Sequence, residues 1–236
     1  MSYATQFRFA LRCEWGLHGI TQLAPGSDAI VIVDLLSFST CVAVAVERGA
    51  AVYPYRWNDT TAYDFAHATG ALLAGPRGAG GYSLSPVSLL ALPTGTKLVL
   101  PSPNGATLSL ATGDTPTFAG CLRNAAAVAR AAQQCGPRVS VIPAGERWAD
   151  GSTRFAVEDL IGAGAIIHAL AGTRSPEAQA AEAVFLASQP ALAAQLANCA
   201  SGRELTARGF SGDVALAAAL DASQCAPRLR DGGYGS

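Results

Sequence analysis

The sequence predicts an α/β protein of three layers, in which a mostly parallel or mixed sheet lies between two layers of helices. Over about the first 170 residues, short apolar segments alternate with segments of helical periodicity, a pattern typical of a sheet covered on both faces. Half of the 236 residues are hydrophobic and 14% are charged, so the chain can bury a large core. We therefore expect one domain over residues 1–236.

The strands are predicted from short apolar segments. Residues 6–12 alternate apolar and polar side chains, as in a half-buried strand, whereas residues 29–34 are apolar up to Asp34, as in a fully buried strand. The further predicted strands are 51–55, 71–74, 97–100, 117–119 and 139–142. The pattern of strand, loop and helix recurs around Asp34, Asn104 and Gly145, which is compatible with two similar Rossmann-like halves, about 1–115 and 116–236.

The helices are predicted from apolar periodicity and from their end signals. A helix over 40–48 has Ser39 as its N-cap and Gly49 as its stop, and a helix over 125–134 has Asn124 as its cap. Ser85-Pro86 opens a short helix, because proline is favoured in the first turn. The other predicted helices are 60–70, 105–110, 155–170, 176–197, 202–208 and 212–220.

Composition excludes several classes of protein. The net charge of −1 leaves no broad basic surface for a nucleic acid. We expect no membrane partner and a cytoplasmic location, because residues 1–10 do not read as a signal peptide and the apolar run at 160–173 is too short to span. The six cysteines are scattered and form no C-x-x-C pair, which indicates small buried side chains in a reducing compartment.

Familiar catalytic motifs are absent. Leu36 stands where the second acid of a D-x-D phosphatase motif would be, and Cys41 lies seven residues before Arg48, one too many for a cysteine phosphatase loop. The sequence has no G-x-S-x-G elbow and no phosphate-binding G-x-x-x-x-G-K-[ST] loop. Its only lysine, Lys97, does not lie in a glycine-rich loop, so we expect an anion to be held by arginine or by backbone N–H groups.

Polar residues instead collect near the predicted strand ends, where α/β proteins hold their ligands. The candidates for catalysis are Asp34, Arg77, Glu158 and Asp159, and the three carboxylates are also the candidate ligands of Mg²⁺. The candidates for substrate binding are Ser37, Ser39, Thr40, Arg77, Asn104, Gly105 and Thr107. Three carboxylates, one arginine and several turns rich in N–H groups would suit Mg²⁺ together with a small phosphorylated substrate.

Each candidate has an alternative interpretation. Asp34 could cap the following helix, Arg77 could be a solvated loop residue, and Asn104-Gly105 is a common turn. Acidic residues are favoured in the first turn of a helix, which would explain Glu158 and Asp159. Glu146 and Arg147 read as an exposed loop pair with a minor chance of a role in the site, and the histidines His18, His67 and His168 read as structural.

The order of these segments resembles the 2-phosphosulfolactate phosphatase family. Residues 34–40 match its D-V-L-R-A-[ST]-T motif, residues 75–79 its G-E-R-G-G loop, and residues 84–86 its N-S-P segment. Residues 102–107 are similar to its T-T-N-G-T turn, and residues 158–159 to its E-D pair. The resemblance covers about residues 28–230. Ser37, Pro76 and Leu84 replace the Arg, Glu and Asn of the family motifs.

Membership would imply a three-layer α/β/α fold and Mg²⁺-dependent hydrolysis of (2R)-2-phospho-3-sulfolactate to 3-sulfolactate and phosphate, on the route to coenzyme M. Two alternatives stay open. One is a paralogue that binds an anionic metabolite without hydrolysing it, and the other is a nucleotide-binding α/β protein. The apolar, alanine-rich helices between 155 and 197 would suit a homodimer interface.

Overall fold

A computed structural model describes residues 3–236 and contains one large mixed sheet. Within these residues the nine strands of this sheet lie in the order β1-β7-β2-β6-β10-β11-β3-β5-β4. The strands of this sheet are β1 (Leu11–Cys13), β2 (Ala29–Val33), β3 (Ala51–Tyr55), β4 (Leu72–Leu73), β5 (Lys97–Pro101), β6 (Thr117–Ala119), β7 (Val139–Pro143), β10 (Arg228–Arg230) and β11 (Gly233–Gly235). Strands β8 (Glu146–Arg147) and β9 (Thr153–Arg154) form a separate hairpin.

The helices cover both faces of the sheet. They are α1 (Gly16–Leu23), α2 (Phe38–Glu47), α3 (Thr60–Thr69), α4 (Gly105–Ser109), α5 (Ala125–Gln133), α6 (Val157–Ala169), α7 (Pro176–Ser188), α8 (Leu192–Asn198), α9 (Ala200–Ala207) and α10 (Ser211–Ala217). Short 3₁₀ helices occupy Tyr3–Thr5, Ala24–Gly26, Pro86–Leu89, Leu122–Asn124 and Gln189–Ala191. No helix in the described part of the chain is both long and apolar enough to cross a membrane.

The central strand β2 shows how the three layers form. Successive side chains of a strand point to opposite faces, and every residue of β2 is buried. Val31 and Val33 pack in the cluster that contains α5, α6 and α7. Ile30 and Ile32 pack on the other face, in the cluster that contains α1. The predicted three-layer α/β fold is therefore confirmed.

The sheet consists of two parallel blocks joined by an antiparallel hairpin. Strands β1, β7, β2 and β6 pair in parallel, as do β3, β5 and β4. Between the blocks lie β10 and β11, which pair antiparallel with each other, with β6 and with β3. Strand β2 lies between β6 and β7, so strands from residues 1–115 and from residues 116–236 are neighbours in this part of the sheet.

Three predicted features differ from those observed. The N-cap expected at Ser39 is Ser37, because α2 begins at Phe38. The strand expected at 6–12 is limited to β1, because the side chain of Gln6 bonds both the N–H and the carbonyl of Cys13 and folds the preceding segment back. The helix expected at 176–197 is interrupted between α7 and α8. Pro190 lies at this break, and proline cannot donate the hydrogen bond that a continuous helix needs.

Candidate active site

Asp34 follows β2 and is held by backbone donors from two loops. Its side chain is buried. Its Oδ1 accepts from the N–H of Phe38, at 3.2 Å, and its Oδ2 accepts from the N–H of Gly105, at 2.9 Å. A Cβ at position 105 would lie 2.3 Å from Cδ1 of Phe38 and 2.8 Å from Oδ2 of Asp34. Glycine is therefore required where α4 meets the loop after β2.

The hydroxyls after Asp34 have different roles. The Ser39 hydroxyl donates to the carbonyl of Ile32 and accepts from the N–H of Asp34, and the Thr40 hydroxyl donates to the carbonyl of Leu35. Both side chains are fully buried. They shape the loop, and these bonds occupy the hydroxyls that the sequence had suggested for substrate binding. The loop also contains a cis peptide bond between Leu36 and Ser37.

Arg77 reaches this loop from the glycine-rich segment at 75–81. Its Nη2 donates a hydrogen bond of 2.8 Å to Oγ of Ser37. Its Nε lies 3.8 Å from Oδ2 of Asp213, which belongs to α10. The structure therefore brings Arg77 to the loop that follows Asp34, and a shared catalytic site stays a prediction.

Glu158 and Asp159 begin α6 at the same edge of the sheet, and both are buried. Asp159 accepts from the N–H of Leu35 at 2.7 Å and from the N–H of Gly145 at 2.9 Å, so it ties together the loops after β2 and β7. Oε2 of Glu158 makes no hydrogen bond within residues 3–236. Of this adjacent pair, Glu158 therefore has the oxygen that is available to a cation.

Glu146 was expected to lie in an exposed loop pair with only a minor chance of a role in the site. It instead lies near enough to Asp34 and Glu158 for their charges to act on it. It is partly buried, and its Oε2 accepts a hydrogen bond of 2.9 Å from Nδ2 of Asn104.

Glu146 and Asn104 line an open cleft of about 400 Å³, together with Thr107, Trp15 and others. Thr107 lines the cleft beside Asn104, and its role in substrate binding stays a prediction. The N–H of Gly105 is occupied by Asp34.

Burial, with a smaller effect of neighbouring negative charge, raises the pKa values of Asp34, Asp159 and Glu146. Burial raises the pKa of Asp34 despite the N–H bonds from Phe38 and Gly105, and the charge of Glu158 adds to this effect. Burial and the charge of Asp34 raise the pKa of Asp159 well above its usual range. Burial, followed by the charge of Asp34, raises the pKa of Glu146 to about 7. These raised pKa values favour the neutral carboxyls, and a bound cation would favour their ionised forms instead.

The donor set fits Mg²⁺ bound by few protein ligands. Within the described residues, no three or more His, Cys, Asp or Glu side chains are arranged to hold a metal ion together. Mg²⁺ often keeps several waters and takes only one or two carboxylates plus a substrate phosphate. The unpaired oxygen of Glu158 suits that mode. Asp34 and Asp159 each accept backbone N–H bonds on both oxygens, so either would reach the ion through a remaining lone pair or through water.

The structure also shows why sequence reasoning missed two residues. Asp213 touches Arg77 from a helix that is remote in sequence, and Glu146 lies in a short hairpin without a motif of its own. The exclusion of Cys41 as a nucleophile agrees with the structure, since burial raises the pKa of this thiol well above its usual value and keeps it protonated.

Fold and site together define an α/β protein with buried carboxylates and an arginine at the carboxyl ends of parallel strands. The family model described as 2-phosphosulpholactate phosphatase matches residues 20–232. The chain belongs to the 2-phosphosulfolactate phosphatase family, as the resemblance in its motifs predicted.

Two curated relatives cover most of the chain. One is named "2-phosphosulfolactate phosphatase", from Methanothermobacter thermautotrophicus, and is 32% identical over 213 residues, which are 88% of this chain and 89% of the relative. The other is named "Probable 2-phosphosulfolactate phosphatase", from Carboxydothermus hydrogenoformans, and is 31% identical over 207 residues, which are 84% of this chain and 81% of the relative.

Proposed function

We propose that the protein is a Mg²⁺-dependent phosphomonoesterase and that 2-phosphosulfolactate, the substrate named for its relatives, is the first ester to test. The observation that carries the proposal is the hydrogen bond from Arg77 to Ser37, in the loop that follows Asp34, together with the unpaired oxygen of Glu158. An arginine beside buried carboxylates can bind a phosphate while a metal ion held by those carboxylates binds the other phosphate oxygens.

Each part of the site has a defined task in this proposal. Arg77 binds the phosphate oxygens, because its planar fork matches them in geometry and charge. Asp34 and Glu158 would hold Mg²⁺, which would polarise the phosphoryl group when bound. Asn104 orients Glu146 through the hydrogen bond to its carboxylate. The cleft beside Asn104 and Thr107 receives the alcohol part of the ester, and its volume of about 400 Å³ is that of a small-molecule site.

Water is the proposed nucleophile. Cys41 is a buried thiol whose pKa is raised well above the usual value, and the Ser37 hydroxyl accepts a hydrogen bond from Arg77. In direct attack, the oxygen of water forms the new bond to phosphorus while the bond to the ester oxygen breaks. Glu146 lines the cleft with a pKa of about 7, so near neutral pH it can take a proton from water or give one to the leaving oxygen.

The test is an assay of the purified protein on a panel of phosphate esters that includes 2-phosphosulfolactate, with Mg²⁺ and with EDTA. We expect turnover in Mg²⁺ that EDTA abolishes and that Arg77→Met and Glu158→Gln greatly reduce. Glu204→Gln is the matched control, because its side chain is 66% exposed on α9. Equal turnover with and without the metal would refute the Mg²⁺ dependence, and no turnover on any ester would refute the hydrolase.

A second candidate function is supported by Ser37. This residue replaces the arginine of the family motif, and its hydroxyl occupies Nη2 of Arg77. A site with one arginine fewer would still bind an anionic metabolite, but it would lack one guanidinium to hold the phosphate during hydrolysis. Calorimetry that shows tight binding of 2-phosphosulfolactate or sulfolactate without any turnover would support this alternative, and Mg²⁺-dependent hydrolysis would eliminate it.

A further inference from the structure

We propose that Asp213 is a positioning residue of this site: it holds the Arg77 guanidinium where it binds phosphate and keeps it from pairing with Asp34. The inference rests on the proposed role of Arg77 in phosphate binding. It assigns a task to a buried carboxylate that lies on α10, far along the chain from the other groups of the site.

The two oxygens of Asp213 have different surroundings. Its Oδ1 accepts from the hydroxyl of Ser85 at 2.6 Å and from the N–H of Val87 at 3.2 Å. Its Oδ2 makes no hydrogen bond within the described residues and lies 3.8 Å from Nε of Arg77, which also lacks a hydrogen-bond partner there. Asp213 is 1% exposed. A carboxylate so buried needs a compensating charge, and Arg77 is the cation that it faces.

Arg77 is also held on two other sides. Its guanidinium lies over the ring of Phe210, 5.8 Å from the centroid, and its Nη2 donates to Ser37. Asp213, Phe210 and Ser37 thus contact one planar group from separate directions. Because the guanidinium is planar and rigid, such contacts fix the direction in which its remaining N–H groups point.

Without Asp213, the site's own carboxylates would compete for Arg77. The charge of Arg77 already acts on Asp34, where it lowers a pKa that burial raises. An arginine paired with Asp34 would occupy the place of the phosphate and of the metal ion together. Asp213 gives Arg77 a different buried carboxylate to face, 3.8 Å from its Nε, so the guanidinium is not committed to Asp34 and its remaining N–H groups stay available to an anion.

The first experiment measures the binding of inorganic phosphate by calorimetry, in Mg²⁺, together with KM and kcat on the best ester. For Asp213→Asn we expect phosphate affinity to fall about tenfold, which corresponds to about 1.4 kcal/mol, with KM rising similarly and kcat changing much less. Asp64→Asn is the matched control, because Asp64 is exposed on α3, and its phosphate affinity should stay near that of the wild type.

A double-mutant cycle with Arg77→Met separates positioning from a general structural effect. If Asp213 acts through Arg77, Asp213→Asn has no further effect on phosphate affinity once Arg77 is methionine. Equal losses in both backgrounds, or wild-type affinity in Asp213→Asn, would overturn the proposal. If Asp213→Asn does not fold, the cycle is run with Asp213→Glu, for which we expect a smaller loss that also vanishes in the Arg77→Met background.

The cycle also distinguishes this inference from the proposed function. Phosphate binding is measured without turnover, so a protein that hydrolyses no ester can still show the coupling between Asp213 and Arg77. A protein that hydrolyses esters but shows additive effects would refute the positioning role alone.

Discussion

The N–H of Gly105 donates a hydrogen bond of 2.9 Å to Oδ2 of Asp34, and the space between the two residues admits no side chain. This contact joins the loop after β2 to the helix after β5, which belong to different parallel blocks of the sheet. It therefore sets the distance between the two loops that form the site.

Gly105→Ala should damage both stability and activity. The new Cβ would overlap the ring of Phe38 and the carboxylate of Asp34, and such overpacking costs about 1–3 kcal/mol. We expect a lower free energy of unfolding in urea and a large loss of kcat on the best ester. Gly235→Ala is the control, since a Cβ there meets no atom within 4 Å. A Gly105→Ala protein with wild-type stability would contradict the close contact.

Glu158 and Asp159 should respond differently to loss of charge. Glu158→Gln is expected to weaken Mg²⁺ binding, measured by calorimetry, with a small effect on folding. Asp159→Asn cannot accept from both Leu35 and Gly145 and should lose about 1–3 kcal/mol of stability, although relief of repulsion with Glu158 offsets part of this. Equal effects of the two variants on Mg²⁺ affinity and on stability would show that the pair acts as one unit.

Glu146 should make stability depend on pH between about 4.5 and 7. Its pKa rises from the ordinary 4.5 to about 7 in the folded protein, so the protonated carboxyl favours the folded state. The protonated carboxyl contributes fully to the free energy of unfolding below pH 4.5. As pH rises through 7, this contribution of up to about 3 kcal/mol is lost. In EDTA, Glu146→Gln should therefore match the wild type near pH 4.5 in urea unfolding and exceed it at pH 8. Parallel pH profiles for the two proteins would refute the shift.

Tyr234 should stabilise the hairpin through its hydroxyl. It is fully buried, and its hydroxyl lies 2.7 Å from that of Ser109 on α4. Tyr234→Phe leaves the Ser109 hydroxyl without this partner and should cost about 1 kcal/mol in the free energy of unfolding. Tyr63→Phe is the control, since Tyr63 is 67% exposed. The Ser109 hydroxyl also donates to the carbonyl of Gly105, so no difference between the two variants would mean that the bond to Tyr234 adds nothing to stability.

Part of the fold and site could be predicted because the signals are local. An apolar run that ends at Asp34 marks a buried strand and its carboxyl end, and the same reasoning located Glu158 and Asn104. The hydroxyls of Ser39 and Thr40 looked like ligands because their backbone partners cannot be read from the sequence. Glu146 looked exposed because its burial depends on contacts made only in three dimensions.

The strands β10 and β11 were not expected for a similar reason. Each has three residues, and their sequences contain arginine and glycine rather than an apolar run. Such strands are defined by the neighbours they pair with, here β6 and β3. Tertiary contacts, rather than local preference, decide their conformation.

The position of this hairpin has a consequence for synthesis. Ribosomes make residues 228–235 after every other strand of the sheet, yet these residues occupy its middle. Until they emerge, β6 and β3 each present an edge with unpaired backbone groups, and such edges invite pairing with other chains. A nascent chain stalled before residue 228 would therefore be prone to aggregation and would be a natural client for chaperones.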